Sequence, residues 1–152
     1  MTQDNGAKAL PFDVNHISVV VEDLEKTREF LSSTWGLGPW KTRVDLATKE
    51  DMTVGEPLRI RLSWTKLGPI LFELIQPLEA RSVWGEFLKT NGEGLHHIAF
   101  IASNYDEMVL KLQQQGSSMI VGGIFEGIRW GYFKTKPGGI IVEIEEREEI
   151  PW

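Results

Sequence analysis

Four residues in this chain have the types and the spacing to bind a divalent cation: His16, Glu73, His97 and Glu143. Two of the chain's three histidines stand side by side in "GLHHIAF", residues 94 to 100, at the head of an apolar run. Glu73 sits inside "ILFELIQ" and Glu143 inside "IIVEI", where the neighbours are apolar. A carboxylate in the middle of an apolar strand is expensive to bury unless it is paired or bound to a cation. Two neutral imidazoles and two carboxylates make a hard-to-borderline ligand set, suited to Zn²⁺, Ni²⁺, Co²⁺ or Mn²⁺. Each residue alone also has a plainer reading. A histidine at a strand start is commonly only hydrogen-bonded, Glu73 could lie on a strand with one wet face, and Glu143 could open the acidic run "EIEEREEIPW".

The set recurs in register, and that points to one shared cause. "NHISVVVEDLEKTREFLSSTWG" lays onto "HHIAFIASNYDEMVLKLQQQG", so that His16 falls on His97, Asp23 on Asn104 and Leu31 on Leu112. Further on, "ILFELI" lies on "IIVEIE", which sets Glu73 on Glu143. Each copy opens with a short apolar strand. Asp23 or Asn104 then stands where a helix N-cap accepts orphan amide bonds, and a glycine, Gly36 or Gly116, closes the helix. Three strand-like runs follow, "PWKTRVDLA", "PLRIRLSW" and "GPILFELIQP" in one copy and "SSMIVGGIF", "IRWGYFKT" and "GGIIVEIEE" in the other. The expected fold is therefore α+β: two tandem βαβββ modules forming one curved, mixed-sheet domain around a shared metal site. The domain is expected over 13–145, with module one at about 13–78, an amphipathic linker helix at about 79–93, module two at about 94–145, and tails at 1–12 and 146–152. Alternation in "LRIRLSW" puts Leu58, Ile60 and Leu62 on one face and Arg59, Arg61 and Ser63 on the other. The same alternation separates the two adjacent histidines. His97 matches His16, while His96 takes the place of Asn15 and is expected to face away.

Composition narrows the function classes. At 152 residues, 41% hydrophobic and 25% charged, the chain falls among ordinary soluble globular domains. No cysteine is present, so there is no disulfide or thiolate metal site, which fits the expected cytoplasmic location. A net charge of −6 argues against a nucleic-acid partner. No apolar run is long enough for a membrane span, and the first dozen residues lack the regions of a signal peptide. "GLGPW" and "VGGIFEG" lack the context of a phosphate-binding loop. The six tryptophans, Trp130 among them, either pack the core or wall a pocket for an apolar substrate.

In "NHISVVVEDLEKTREFL", "FELIQPLE", "GLHHIAF" and "IIVEIEE" the chain resembles the vicinal oxygen chelate superfamily, which includes glyoxalase I, methylmalonyl-CoA epimerase, extradiol dioxygenases and bleomycin-binding proteins. Within it, the chain looks most like the methylmalonyl-CoA epimerases. The resemblance implies paired modules curling around one divalent metal ion, with ligands at His16, Glu73, His97 and Glu143. It implies a small-molecule substrate whose neighbouring oxygens meet the metal, an enolate stabilised when a base removes the adjacent proton, and a homodimer. Those epimerases carry a further catalytic glutamate early in the strand matching "PLRIRLSW"; here that strand holds Arg59 and Arg61 and no carboxylate, and Glu56 lies just before it. A one-base isomerase or epimerase acting on an acyl thioester, or another α-acidic carbonyl compound, is the reading this implies. Glu73 or Glu143 would be the catalytic base, Arg59 and Arg61 would meet an anionic tail of the substrate, and Trp130 would form part of the pocket wall. Two alternatives stay open: a lactoylglutathione lyase of the glyoxalase I type, which glutamate at position 73 favours, and a non-catalytic protein that binds a drug or metabolite.

Overall fold

The computed structural model describes residues 13–148. The expected tails at 1–12 and beyond 148 lie outside the described residues. The first half runs β1 (Asp13–Val20), α1 (Leu24–Trp35), β2 (Lys41–Ala47), β3 (Met52–Val54), β4 (Leu58–Leu67) and β5 (Ile70–Pro77). Helix α2 (Val83–Asn91) links it to β6 (Gly94–Ile101), α3 (Tyr105–Gln114), β7 (Ser118–Phe125), β8 (Ile128–Lys134) and β9 (Ile141–Glu145). The helix starts follow the expected chemistry. Asp23 accepts from the Lys26 amide and Asn104 from the Glu107 amide. Gly36 ends α1 in the left-handed region, at φ 69°, and returns its N–H to the last turn.

All nine strands belong to one mixed sheet in the order β2-β4-β5-β1-β6-β9-β8-β7-β3, curled into a nearly closed barrel. The antiparallel pair β1–β6 lies at its centre. On either side the last strand of the same half adds in parallel, β5 to β1 and β9 to β6. The two halves are thus arranged alike about the central pair, as the internal repeat requires. One strand was not legible as such. The three-residue β3 leaves the first half and pairs with β7 of the second. Its approach explains "VGGIF", because a Cβ on Gly123 would collide with the Asp51 carbonyl.

Three apolar clusters hold the layers. Leu58, Ile60, Leu62, Ile75, Val121 and Tyr132 fill the barrel interior, and α2 plugs it with Trp84, which is 1% exposed. Helix α1 covers the outer face of the first half through Leu24 and Leu31 against Leu74. Helix α3 does the same for the second half, with Tyr105 against Phe133 and Ile144. Among the described residues no helix is long and apolar enough to cross a membrane.

Candidate metal and substrate site

The central strands carry the same irregularity at matched positions. The β1–β6 register shifts between Val14 and His16, leaving Asn15 extra, and again between Ser18 and Val19, leaving His96 extra. An extra residue in one strand re-aims the side chains beside it. Here both shifts flank the histidines, and His16 Nε2 meets His97 Nε2 at 3.1 Å. The parallel neighbours then deliver the carboxylates. Glu73 pairs beside Ser18, whose hydroxyl donates to Glu73 Oε1 at 3.0 Å, and Glu143 pairs beside Ala99. His16 Nε2 lies 3.5 Å from Glu73 Oε1 and 3.3 Å from Glu143 Oε2, and His97 Nε2 lies 3.0 Å from the same Glu143 oxygen. All four expected ligands therefore converge.

The cluster fits a divalent cation on two grounds. First, ligands bound at about 2.1 Å sit roughly 3.0 Å apart in an octahedron and roughly 3.4 Å apart in a tetrahedron. The three separations from His16 Nε2 and the one between His97 and Glu143 span 3.0 to 3.5 Å, and Glu73 and His97 offer atoms within 4.8 Å of each other. Second, the surrounding cavity is short of positive charge. Asp45, Glu73, Glu143 and Glu145 line it against only Arg43 and Arg147, a formal excess of two negative charges before the imidazoles are counted.

Without an ion, protons must answer that field. Burial disfavours the His16 imidazolium, but Glu73 and Glu143 outweigh it and lift its pKa to about 9. Burial, helped by Glu143, pushes Glu73 up to about 7 against the pull of His16. Glu143 goes the other way: hydrogen bonds to His16 and His97 overcome its burial and hold it at about 2. His97 is lowered by burial.

His96 departs from expectation. It does not face away. Its ring stays inside, centred 4.9 Å from Phe87, 5.8 Å from Tyr132 and 6.5 Å from Trp84, and its Nδ1 lies 2.9 Å from His97 Nδ1. As the extra residue at the register shift, it escapes strict alternation. Burial and the adjacent His97 hold its pKa at about 3, so it is neutral.

Two chambers open on the cluster. The inner one, about 90 Å³, is walled by Ala47, Leu58, Ile60, Leu62, Trp84, Trp130 and Tyr132. The outer one, about 450 Å³, is more polar and includes Lys41, Trp64 and Glu126. His16 and Glu73 line both. Trp130 lines the inner chamber. Arg59 and Arg61 are not brought there. They lie on the opposite face of β4 from the cavity-lining Leu58, Ile60 and Leu62, and Arg61 reaches to 3.9 Å from Glu25 of α1. Glu56 is exposed and also lines neither chamber. The arginines at the cavity are Arg43 and Arg147, paired with Asp45 and Glu145, four residues the motifs did not single out.

Comparison with known proteins agrees with this architecture. The sequence profile of the Glyoxalase/Bleomycin resistance protein/Dioxygenase superfamily matches residues 15–133. Methylmalonyl-CoA epimerase of Bos taurus mitochondria is 26% identical over 144 residues, covering 88% of this chain and 73% of that protein. An uncharacterized Bacillus subtilis protein, YqjC, is 31% identical over 107 residues, covering 70% of this chain and 69% of its own length. Among solved structures, a variant Streptomyces coelicolor methylmalonyl-CoA epimerase in complex with 2-nitronate-propionyl-CoA superposes with a TM-score of 0.69 at 25% identity, covering 87% of this chain and 94% of that one.

Proposed function

Because the chain belongs to the Glyoxalase/Bleomycin resistance protein/Dioxygenase superfamily, we propose that it is a metal-dependent isomerase of the epimerase type, acting on an acyl thioester or related carbonyl compound with an acidic α-C–H. The observation that carries this reading is the gathering of His97, Glu73 and Glu143 about His16, each within 3.5 Å of its Nε2, placed where an apolar inner chamber meets a polar outer one. A divalent ion held there would supply a Lewis acid that stabilises the enolate oxygen. Similarity to methylmalonyl-CoA epimerases supports the substrate class.

The chain's own groups divide the remaining work. Glu143 is committed through Oε2 to both histidines. Glu73 is the less committed carboxylate; among the described residues it engages through Oε1 only, with Ser18 and His16, and it lines both chambers. Glu73 takes the α-proton from carbon as the C–H pair becomes the enolate; return of the proton by Glu73 regenerates the starting stereoisomer, and delivery of a proton from water to the opposite face inverts the carbon. The inner chamber, about 90 Å³, has room for only a short apolar substituent beside the reacting carbon. On the β2–β4 wall Asp45 accepts from Arg43 through Oδ2, while its buried Oδ1, 2.7 Å from Arg43 Nε, has no hydrogen-bond partner among the described residues, and burial raises its pKa.

The test is proton exchange. Metal-loaded protein incubated with methylmalonyl-CoA in heavy water should place deuterium on the α-carbon, and Glu73→Ala should slow this by about 100-fold or more. No α-deuteration by protein carrying stoichiometric metal would sink the proposed substrate. Protein that never holds near-stoichiometric metal would sink the whole reading and leave simple ligand binding in its place.

A further inference from the structure

Arg43 and Arg147 are built alike and face the same place. On β2, Asp45 stands two residues from Arg43. Arg43 Nη2 donates to Asp45 Oδ2 at 3.0 Å, and Nε lies 2.7 Å from Oδ1. At the end of β9, Glu145 stands two residues from Arg147, whose Nε donates to Glu145 Oε2 at 2.6 Å. Both arginines line the inner and the outer chamber, as His16 and Glu73 do. The two guanidiniums therefore sit where the chambers join, beside the four-donor cluster.

Each guanidinium is fixed in place with hydrogen-bonding capacity to spare. The Arg43 guanidinium carbon lies 5.3 Å from the Trp64 ring centroid and 5.5 Å from that of Phe125, so two aromatic faces and one carboxylate orient it. Among the described residues its Nη1 has no hydrogen-bond partner, and neither Nη of Arg147 has one. If the arginines served only to neutralise buried carboxylates, a buried carboxylate on the apolar wall of Ala47, Leu58, Ile60 and Leu62 would have no purpose. Asp45 makes sense as the residue that holds Arg43. A planar fork with free N–H groups matches the oxygens of a carboxylate or phosphate.

We propose that Arg43 and Arg147, oriented by Asp45 and Glu145, form a two-pronged receptor for an oxyanion of the substrate, a carboxylate or phosphate group beyond the atoms that meet the metal cluster. This rests on the cluster being the substrate site. It sets specificity: substrates with that second anionic group are held, and neutral analogues are not.

Isothermal titration with succinate, butyrate and inorganic pyrophosphate tests it. Succinate and butyrate are four-carbon acids that differ by one carboxylate. Wild-type protein should bind succinate about tenfold or more tightly than butyrate, and Arg43→Met or Arg147→Met should each remove most of that preference. Butyrate affinity and metal content should stay unchanged in both variants, and Arg81→Met, an exposed charge loss elsewhere, should alter nothing. Arg43→Lys, which keeps the charge and loses the fork, should recover only part. If pyrophosphate binds more tightly than succinate and loses affinity in the same variants, the oxyanion is a phosphate of the substrate's carrier; if succinate wins, it belongs to the acyl part. Equal binding of succinate and butyrate with weak pyrophosphate, or preferences that survive both methionine substitutions, would overturn the proposal. Parallel titration of chelator-treated protein separates the two readings. A preference kept by protein that takes up no metal refutes the metal site and leaves the receptor standing, while stoichiometric metal without any preference does the reverse.

Discussion

Replacing His96 with phenylalanine should weaken metal binding about 10- to 100-fold while leaving the fold intact. Burial and the neighbouring His97 keep His96 neutral, with a pKa of about 3. A neutral His96 can accept at Nδ1, and His97 Nδ1 lies 2.9 Å away. When His97 donates from Nδ1, its Nε2 keeps a lone pair directed at the cluster, 3.0 Å from Glu143 Oε2 and 3.1 Å from His16 Nε2. Phenylalanine fills the same space against Phe87, Trp84 and Tyr132 but accepts nothing. His97 must then bury an unanswered N–H, which costs about 1–3 kcal/mol, or move its proton to Nε2 and block the lone pair. At about 1.4 kcal/mol per tenfold, either route gives a loss in the stated range. Competition against a chromogenic chelator with Zn²⁺ or Co²⁺ reads the affinity, and thermal denaturation of the metal-free protein checks the fold. His97→Ala should abolish stoichiometric binding. Wild-type affinity in His96→Phe would refute the tautomer argument, and metal binding retained by His97→Ala would refute the ligand assignment.

Two further outcomes follow from charge and packing. Metal uptake should release a proton near neutral pH, because Glu73 and Glu143 outweigh burial and keep His16 protonated up to about pH 9 in the metal-free chain; affinity should rise about tenfold per pH unit between about pH 7 and 9, and a pH-stat recording no release would exclude His16 as a ligand. The same raised pKa adds stability that is complete below the ordinary value of 6.5 and lost as pH rises toward about 9, so chelator-treated protein should melt at lower temperature across that window. Gly85→Ala should lower the melting temperature by about 3–10 °C, because its Cβ would sit 2.6 Å from the carbonyl oxygens of Glu79 and Ala80, backbone atoms that cannot rotate away. An unchanged melting temperature would mean that the turn before α2 gives way more easily than its geometry implies.

The parts of the site legible in the sequence are those that the internal repeat marks twice. His16 and His97, like Glu73 and Glu143, occupy matched strand positions, and a sheet built alike about β1 and β6 has to bring them together. Pattern reading loses its grip where a strand turns its polar side inward. Strand β2 reads "KTRVDLA", and hydrophobicity would bury Val44 and Leu46; instead they are 51% and 61% exposed, while Asp45 is 7% exposed. In the same way Glu145 belongs by composition to the acidic C-terminal run, yet two residues after Glu143 it must share that residue's face, and its side chain is 13% exposed. Arg59 and Arg61 show the converse. Alternation already set them opposite Leu58 and Ile60, and only the habit of expecting cations at a site brought them into consideration. Local patterning conflicts with the final structure at β2, β9 and the extra residue His96, and all three border the cavity. Such conflicts are tolerated where a site requires them. A carboxylate two residues from an arginine on a strand is therefore ambiguous in sequence, and on β2 it points to Arg43 only once the fold turns Asp45 inward and Val44 and Leu46 out.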